Sequence, residues 1–125
     1  MSENIEWEKI KEDMKKAINL TIDQEKNQVK IEILDKELID NQLSGNFIQN
    51  EVSLQQLLKG YVEDKTIKPK ITINQERNHI LLDFNNQQDA HTIYNFFEKF
   101  FFGDILKTMV EALFGAFGGI YGNER

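Results

Sequence analysis

The chain has 125 residues, 40% of them apolar, which suffices for one domain with a real core. Its net charge is −6 with acids and bases interspersed, a poor match to a nucleic-acid backbone and without the one-sided acidic face a DNA mimic needs. Cysteine is absent, which excludes disulfides, thiolate metal sites and cysteine nucleophiles.

The N-terminal stretch is acidic and amphipathic and lacks the basic, apolar and small-residue regions of a signal peptide, so a cytoplasmic protein is expected. A first helix is predicted from about Asn4 to Ile18, because Trp7, Ile10, Met14, Ala17 and Ile18 recur at steps of three and four. Lys15 and Lys16 at its end complement the helix dipole.

Alternation then takes over, predicting strands at about 18–23 and 28–34 with one face packed and one solvated. The segment LTIDQEKNQVKIEI at 20–33 recurs as ITINQERNHILLDF at 71–84, a constant offset of 51. Five of the fourteen positions are identical, and only Gln28/His79 and Lys30/Leu81 change chemical type. Alternation alone would make two amphipathic hairpins look alike, but it does not dictate the shared turn Gln-Glu-(Lys/Arg)-Asn, in which Asn27 and Asn78 suit a positive φ. Trp7-Glu-Lys-Ile10 also aligns with Leu58-Lys-Gly-Tyr61 at that offset, so a helix-strand-strand unit is expected twice, about 7–33 and 58–84.

Between the copies, residues 35–51 hold enough apolar side chains for a third strand or a packed loop, with a turn at Ser44-Gly45-Asn46. A second helix is predicted to start at Ser53 as N-cap, with Gln56 completing a capping box and Val52 and Leu57 forming a hydrophobic staple. Leu54, Leu57, Leu58, Tyr61 and Val62 form its buried stripe. Pro69, the only proline, precedes the next strand and fits a sheet edge. After Phe84, a polar loop leads to a third helix capped by Asp89.

Seven of the nine phenylalanines lie between residues 96 and 117. Ile93, Phe96, Phe97, Phe100 and Phe101 follow helical spacing and are expected to pack on the sheet. Beyond Gly103, an amphipathic helix is expected over 103–117, with Leu106, Met109, Val110, Leu113 and Phe117 opposite Asp104, Lys107 and Glu111. At about 100° per residue, this second apolar face points away from the first. Either the chain breaks at Gly103 with Asp104 capping a helix that folds back, or the face meets another molecule. On the second reading these five apolar residues are the partner-binding set, in a homodimer or with another protein. Membrane contact is disfavoured by the anionic polar stripe and the interrupting charges. Residues 118–125 are glycine-rich and read as a flexible tail.

Recognised catalytic spacings are missing. His79 and His91 stand without an HxxxH, HxH or HExxH companion, and no phosphate-binding glycine loop or nucleophile elbow occurs. Glu12-Asp13 and Glu63-Asp64 are neighbours on a helix and do not face each other. No catalytic residue, cofactor or metal is therefore assigned.

The expected fold is α+β, an antiparallel sheet of two similar hairpins with a possible extra strand and helices on one face, in the order α-β-β-(β)-α-β-β-α(-α) over 1–102. In element order, size and acidity residues 5–102 resemble the class I type III secretion chaperones, small dimers that bind extended segments of their cargo. That resemblance is one of topology, carried by no motif, and leaves 103–125 without a counterpart. The leading expectation is a non-catalytic protein-binding module, an adaptor, chaperone-like protein or inhibitor. The alternative is a small-ligand-binding protein with a pocket between sheet and helices.

Overall fold

The computed structural model describes residues 6–41, 48 and 50–112. The elements run α1 (Trp7–Ala17), β1 (Ile18–Asp23), β2 (Gln28–Ile33), α2 (Lys36–Asp40), α3 (Glu51–Tyr61), β3 (Lys70–Asn74), β4 (His79–Asp83) and α4 (Gln87–Phe102). A further helix, α5, occupies 105–112. This is an α+β fold on one antiparallel sheet of order β1-β2-β4-β3. Pro69 does precede an edge strand, β3, where its missing N–H leaves no ladder bond unmade.

The repeat survives in three dimensions. Leu20↔Ile31, Thr21↔Lys30 and Ile22↔Val29 in the first hairpin match Ile71↔Leu82, Thr72↔Leu81 and Ile73↔Ile80 in the second, all displaced by the same offset. Both turns place their asparagine in the left-handed region, Asn27 at φ 51 and Asn78 at φ 52. Each turn is tied by the residue that opens it: Asp23 Oδ1 accepts from the Lys26 N–H at 3.2 Å, and Asn74 Oδ1 accepts from the Arg77 N–H at 3.1 Å. The hairpins join through β2 and β4, and the joint repeats itself as well. Ile33 N–H donates to the Asn78 carbonyl at 2.7 Å, and Phe84 N–H donates to the Asn27 carbonyl at 2.9 Å. The left-handed turn asparagines thus aim their carbonyls at the partner hairpin, which explains a shared residue that alternation could not.

The repeat does not extend into helices at that offset. α1 runs straight into β1, whereas α3 stops at Tyr61 and residues 62–69 intervene before β3. Glu63 and Asp64 therefore lie outside any helix. There the Lys65 ammonium donates to the carbonyls of Lys59 at 2.5 Å and Val62 at 2.6 Å, closing the end of α3.

Three boundary expectations are corrected. The cap of α3 is Asn50, whose side chain accepts from the Ser53 N–H at 2.9 Å, so Ser53 and Val52 lie inside the helix and Val52 is exposed rather than part of a staple. The cap of α4 is likewise Asn86, which accepts from the Asp89 N–H at 2.8 Å and donates to its carboxylate at 3.3 Å. Lys36–Asp40 is helical where a third strand or a packed loop was expected, because Asp35 accepts from the Leu38 N–H at 3.0 Å and caps a turn that buries Ile39. The turn expected at 44–46 lies outside the described residues.

Asn50→Ala is accordingly expected to destabilise the protein by about 1 kcal/mol, and Ser53→Ala by much less. Chemical denaturation of the two variants checks this; the reverse ranking would move the start of α3 back to Ser53.

One core holds the molecule together. Leu20, Val29, Ile31, Ile71, Ile80 and Leu82 are buried on a single sheet face, while Thr21, Lys30, Thr72 and Leu81 point the other way and are exposed or half-buried. The helices contribute Met14, Leu54, Leu57 and the four phenylalanines 96, 97, 100 and 101. On α4 these rings stack lengthwise, Phe96 on Phe100 at 6.0 Å and Phe97 on Phe101 at 5.6 Å, and meet edge-on across the rows at 5.3 Å. α4 lies beside α1, β1 and β2, and α3 lies beside β3.

Candidate functional site

The two opposed apolar faces of the C-terminal region are reconciled by a break. α4 ends at Phe102, the Gly103 N–H donates to the Lys99 carbonyl at 3.1 Å, and the Asp104 carbonyl accepts the first bond of α5 from Thr108 at 2.9 Å. The turn is so tight that a Cβ at 103 would sit 2.8 Å from the Lys99 carbonyl oxygen, which reserves the position for glycine. Redirected in this way, α5 places Leu106 and Met109 in the same core as the phenylalanines, with Val110 and Ile105 half-buried against it.

This placement revises the candidate set. Leu106, 4% exposed, is covered by its own chain and is not a surface residue; Met109 is 5% exposed and Val110 only partly accessible. Leu113 and Phe117 lie outside the described residues. The fold-back resolution therefore holds for Leu106 and Met109.

Asp104 serves the break with its side chain also. Its carboxylate accepts from the Lys11 ammonium of α1 at 2.5 Å, pinning the elbow to the first helix. The hydrogen bond to Lys11 and that residue's charge hold the Asp104 carboxyl below the ordinary carboxylate value, and the same bond raises Lys11. The stabilisation from Asp104 is present above the ordinary carboxylate range and disappears as pH falls through its lowered value. Asp104 is open to water while the Lys11 side chain is largely covered, and an ion pair with one exposed partner is screened enough to orient the elbow more than it stabilises the fold.

A cleft of about 630 Å³ opens at this elbow. Tyr61 from the end of α3, Phe96 from α4, and Ile105, Met109 and Ala112 from α5 form its apolar walls, with Thr108 on the same side and Lys99 and Asp104 at the rim. Tyr61, expected in the buried stripe of its helix, is 50% exposed, one of three large apolar side chains left open to water among the described residues. It is the last residue of α3 and borders the cleft.

A second cleft, of about 400 Å³, lies between α2 and the β3–β4 turn, walled by Ile33, Ile39, Ile73 and Ile80 with Asn78 and His79 at its edge. His79 sits across from Glu32 in the β2–β4 ladder, and His91 lies in the first turns of α4; both are half-buried. Among the described residues no group of three or more His, Asp or Glu side chains could hold a metal ion, and no helix is long and apolar enough to cross a membrane.

Sequence reasoning located the elbow but not its walls. Phe96 and Tyr61 come from helices far apart in the chain, and nothing local to either announces that they border one cleft. In the comparisons with known proteins, no family model, no curated protein and no solved structure matches this chain.

Proposed function

We propose that this is a protein-binding module without catalytic chemistry of its own, and that the cleft at the α4–α5 elbow receives apolar side chains of another protein. The observation that carries this reading is the cleft itself: a mostly apolar recess flanked by an exposed tyrosine, where a compact domain otherwise buries its apolar surface. A tyrosine at the mouth of such a recess supplies rigid, amphipathic contact area of the kind that anchors protein interfaces. Leu106 is buried in the core and does not line the recess. An adaptor, a chaperone-like protein or an inhibitor would each use a surface of this kind.

The substitutions Thr108→Glu and Ala112→Glu, on the α5 side of the cleft, introduce charge at exposed positions and are expected to leave the melting temperature unchanged. In a pull-down from the native host, a protein retained by the unmodified chain and lost with either variant supports the reading. Equal retention by all three forms moves the interface elsewhere.

The second reading, a small-ligand-binding protein, is favoured by the isoleucine-walled cleft beside His79, which combines apolar walls with a few polar groups. Native mass spectrometry separates the two, since a co-purifying small molecule displaced by His79→Leu would place the activity there.

A further inference from the structure

We infer a second contact surface, which rests on the protein-binding reading for the class of its ligand: the cleft of about 540 Å³ between the end of α3 and residues 62–69 takes an acidic segment of a partner protein. Lys59 lines it from the helix and Lys65 and Lys68 from the connection, together with the apolar Leu58, Ile67 and Pro69. The chain carries 15 basic residues against 21 acidic ones, so three lysines on one cleft run against its overall charge. Asp64 is the one acid on the lining among the described residues, and it is engaged elsewhere. Its Oδ1 accepts from the Thr66 N–H at 3.0 Å and from the Thr66 hydroxyl at 2.5 Å. Among the described residues no carboxylate forms an ion pair with Lys59, Lys65 or Lys68. The Lys59 and Val62 carbonyls hold the Lys65 ammonium against the end of α3, so one of the three charges is fixed in place. Like charges gathered at one cleft draw an anion to it.

The apolar groups decide which anion. A free phosphate would use the lysines alone, whereas a segment with an apolar side chain between carboxylates uses both kinds of group. Leu58 and Ile67 are themselves buried, so the apolar patch they offer is shallow and suits one side chain better than the hydrocarbon tail of a lipid. A long polyanion such as RNA would also meet the surplus of acids on the rest of the chain, and a short segment would not.

The probe is the peptide Asp-Glu-Leu-Asp-Glu, labelled with fluorescein at its N-terminus and amidated at its C-terminus, titrated by anisotropy against the full chain and variants whose folding is verified by thermal unfolding. Binding is expected, weakening as salt rises from about 50 to 200 mM, and is expected to be absent for Asn-Gln-Leu-Asn-Gln. Lys59→Glu with Lys68→Glu should weaken it by about tenfold or more, while Lys59→Arg with Lys68→Arg retains it. Lys9→Glu with Lys26→Glu makes the same change of charge at exposed positions that do not line the cleft, and should bind as the unmodified chain. No binding of the acidic peptide, undiminished binding after reversal at 59 and 68, equal loss in both charge-reversed variants, or a uridine oligonucleotide binding as tightly as the peptide overturns the assignment. None of these variants alters a residue of the elbow cleft, so the pull-down with Thr108→Glu and Ala112→Glu tests the protein-binding reading separately.

Discussion

Phe97→Ala is expected to lower the unfolding free energy by about 3 to 5 kcal/mol, the range for removing a fully buried aromatic ring. Phe97 is 0% exposed and belongs to the four-ring array, stacked on Phe101 and edge-on to Phe96. Its removal leaves a cavity beside rings that are themselves buried and packed against one another. Against a total stability of about 5 to 15 kcal/mol for a domain, this is a large fraction. Phe102, on the same helix but half-buried, should lose much less when cut to alanine. Urea denaturation of both variants makes the comparison, and equal losses would contradict the orientation of α4.

Gly103→Ala carries the second large effect, with a structural as well as an energetic signature. The new methyl group would meet the Lys99 carbonyl oxygen at 2.8 Å and the Lys99 Cα at 3.0 Å, both backbone atoms of α4, so the elbow must open. Relieving such a clash costs about 1 to 3 kcal/mol. Alanine also favours continuing the helix through 103, and a straight helix would turn Leu106 and Met109 away from the core. The variant is therefore expected to melt several degrees lower and to shift toward larger species in light scattering as that apolar face becomes exposed. A variant with an unchanged melting temperature and an unchanged size would mean that the elbow tolerates a side chain, and that Gly103 is not what directs α5 onto the core.

What was legible in the sequence follows the range of the forces involved. Strand alternation, the duplicated turn and the phenylalanine stripe of α4 are local patterns, and each appears where the periodicity put it. The helix starts were misplaced by three residues at both Ser53 and Asp89 for one reason. Each lies one turn beyond an asparagine that can cap equally well, and the earlier cap adds backbone hydrogen bonds while using the later residue's N–H as its donor. The conflict of apolar faces at Gly103 was legible, but its resolution brings Leu106 and Met109 into a core shared with residues distant in the chain, which no local pattern encodes. Tyr61 falls on the apolar stripe by spacing and is nonetheless exposed, because helical spacing identifies a face and not what packs against its last turn.

The pairing of the two hairpins also accounts for the two places where the duplicated sequence breaks its own rule. In the β2–β4 ladder Lys30 lies opposite Leu81, and these are equivalent positions of the two copies. A residue on that axis confronts its own duplicate, so a lysine in both copies would set two ammonium groups across one rung, about 5 Å apart at their Cβ atoms. Leucine in one copy removes the repulsion. The other divergent position lies two residues away, where Gln28 donates to the Asp83 carboxylate at 2.9 Å and His79 lies across from Glu32. There a duplicate meets an acid instead of itself, so both copies can keep a side chain capable of donating while differing in its identity. Self-confrontation thus disfavours a lysine in both copies at one rung of the ladder, whereas at the next pair each duplicate meets an acid and either donor is accommodated.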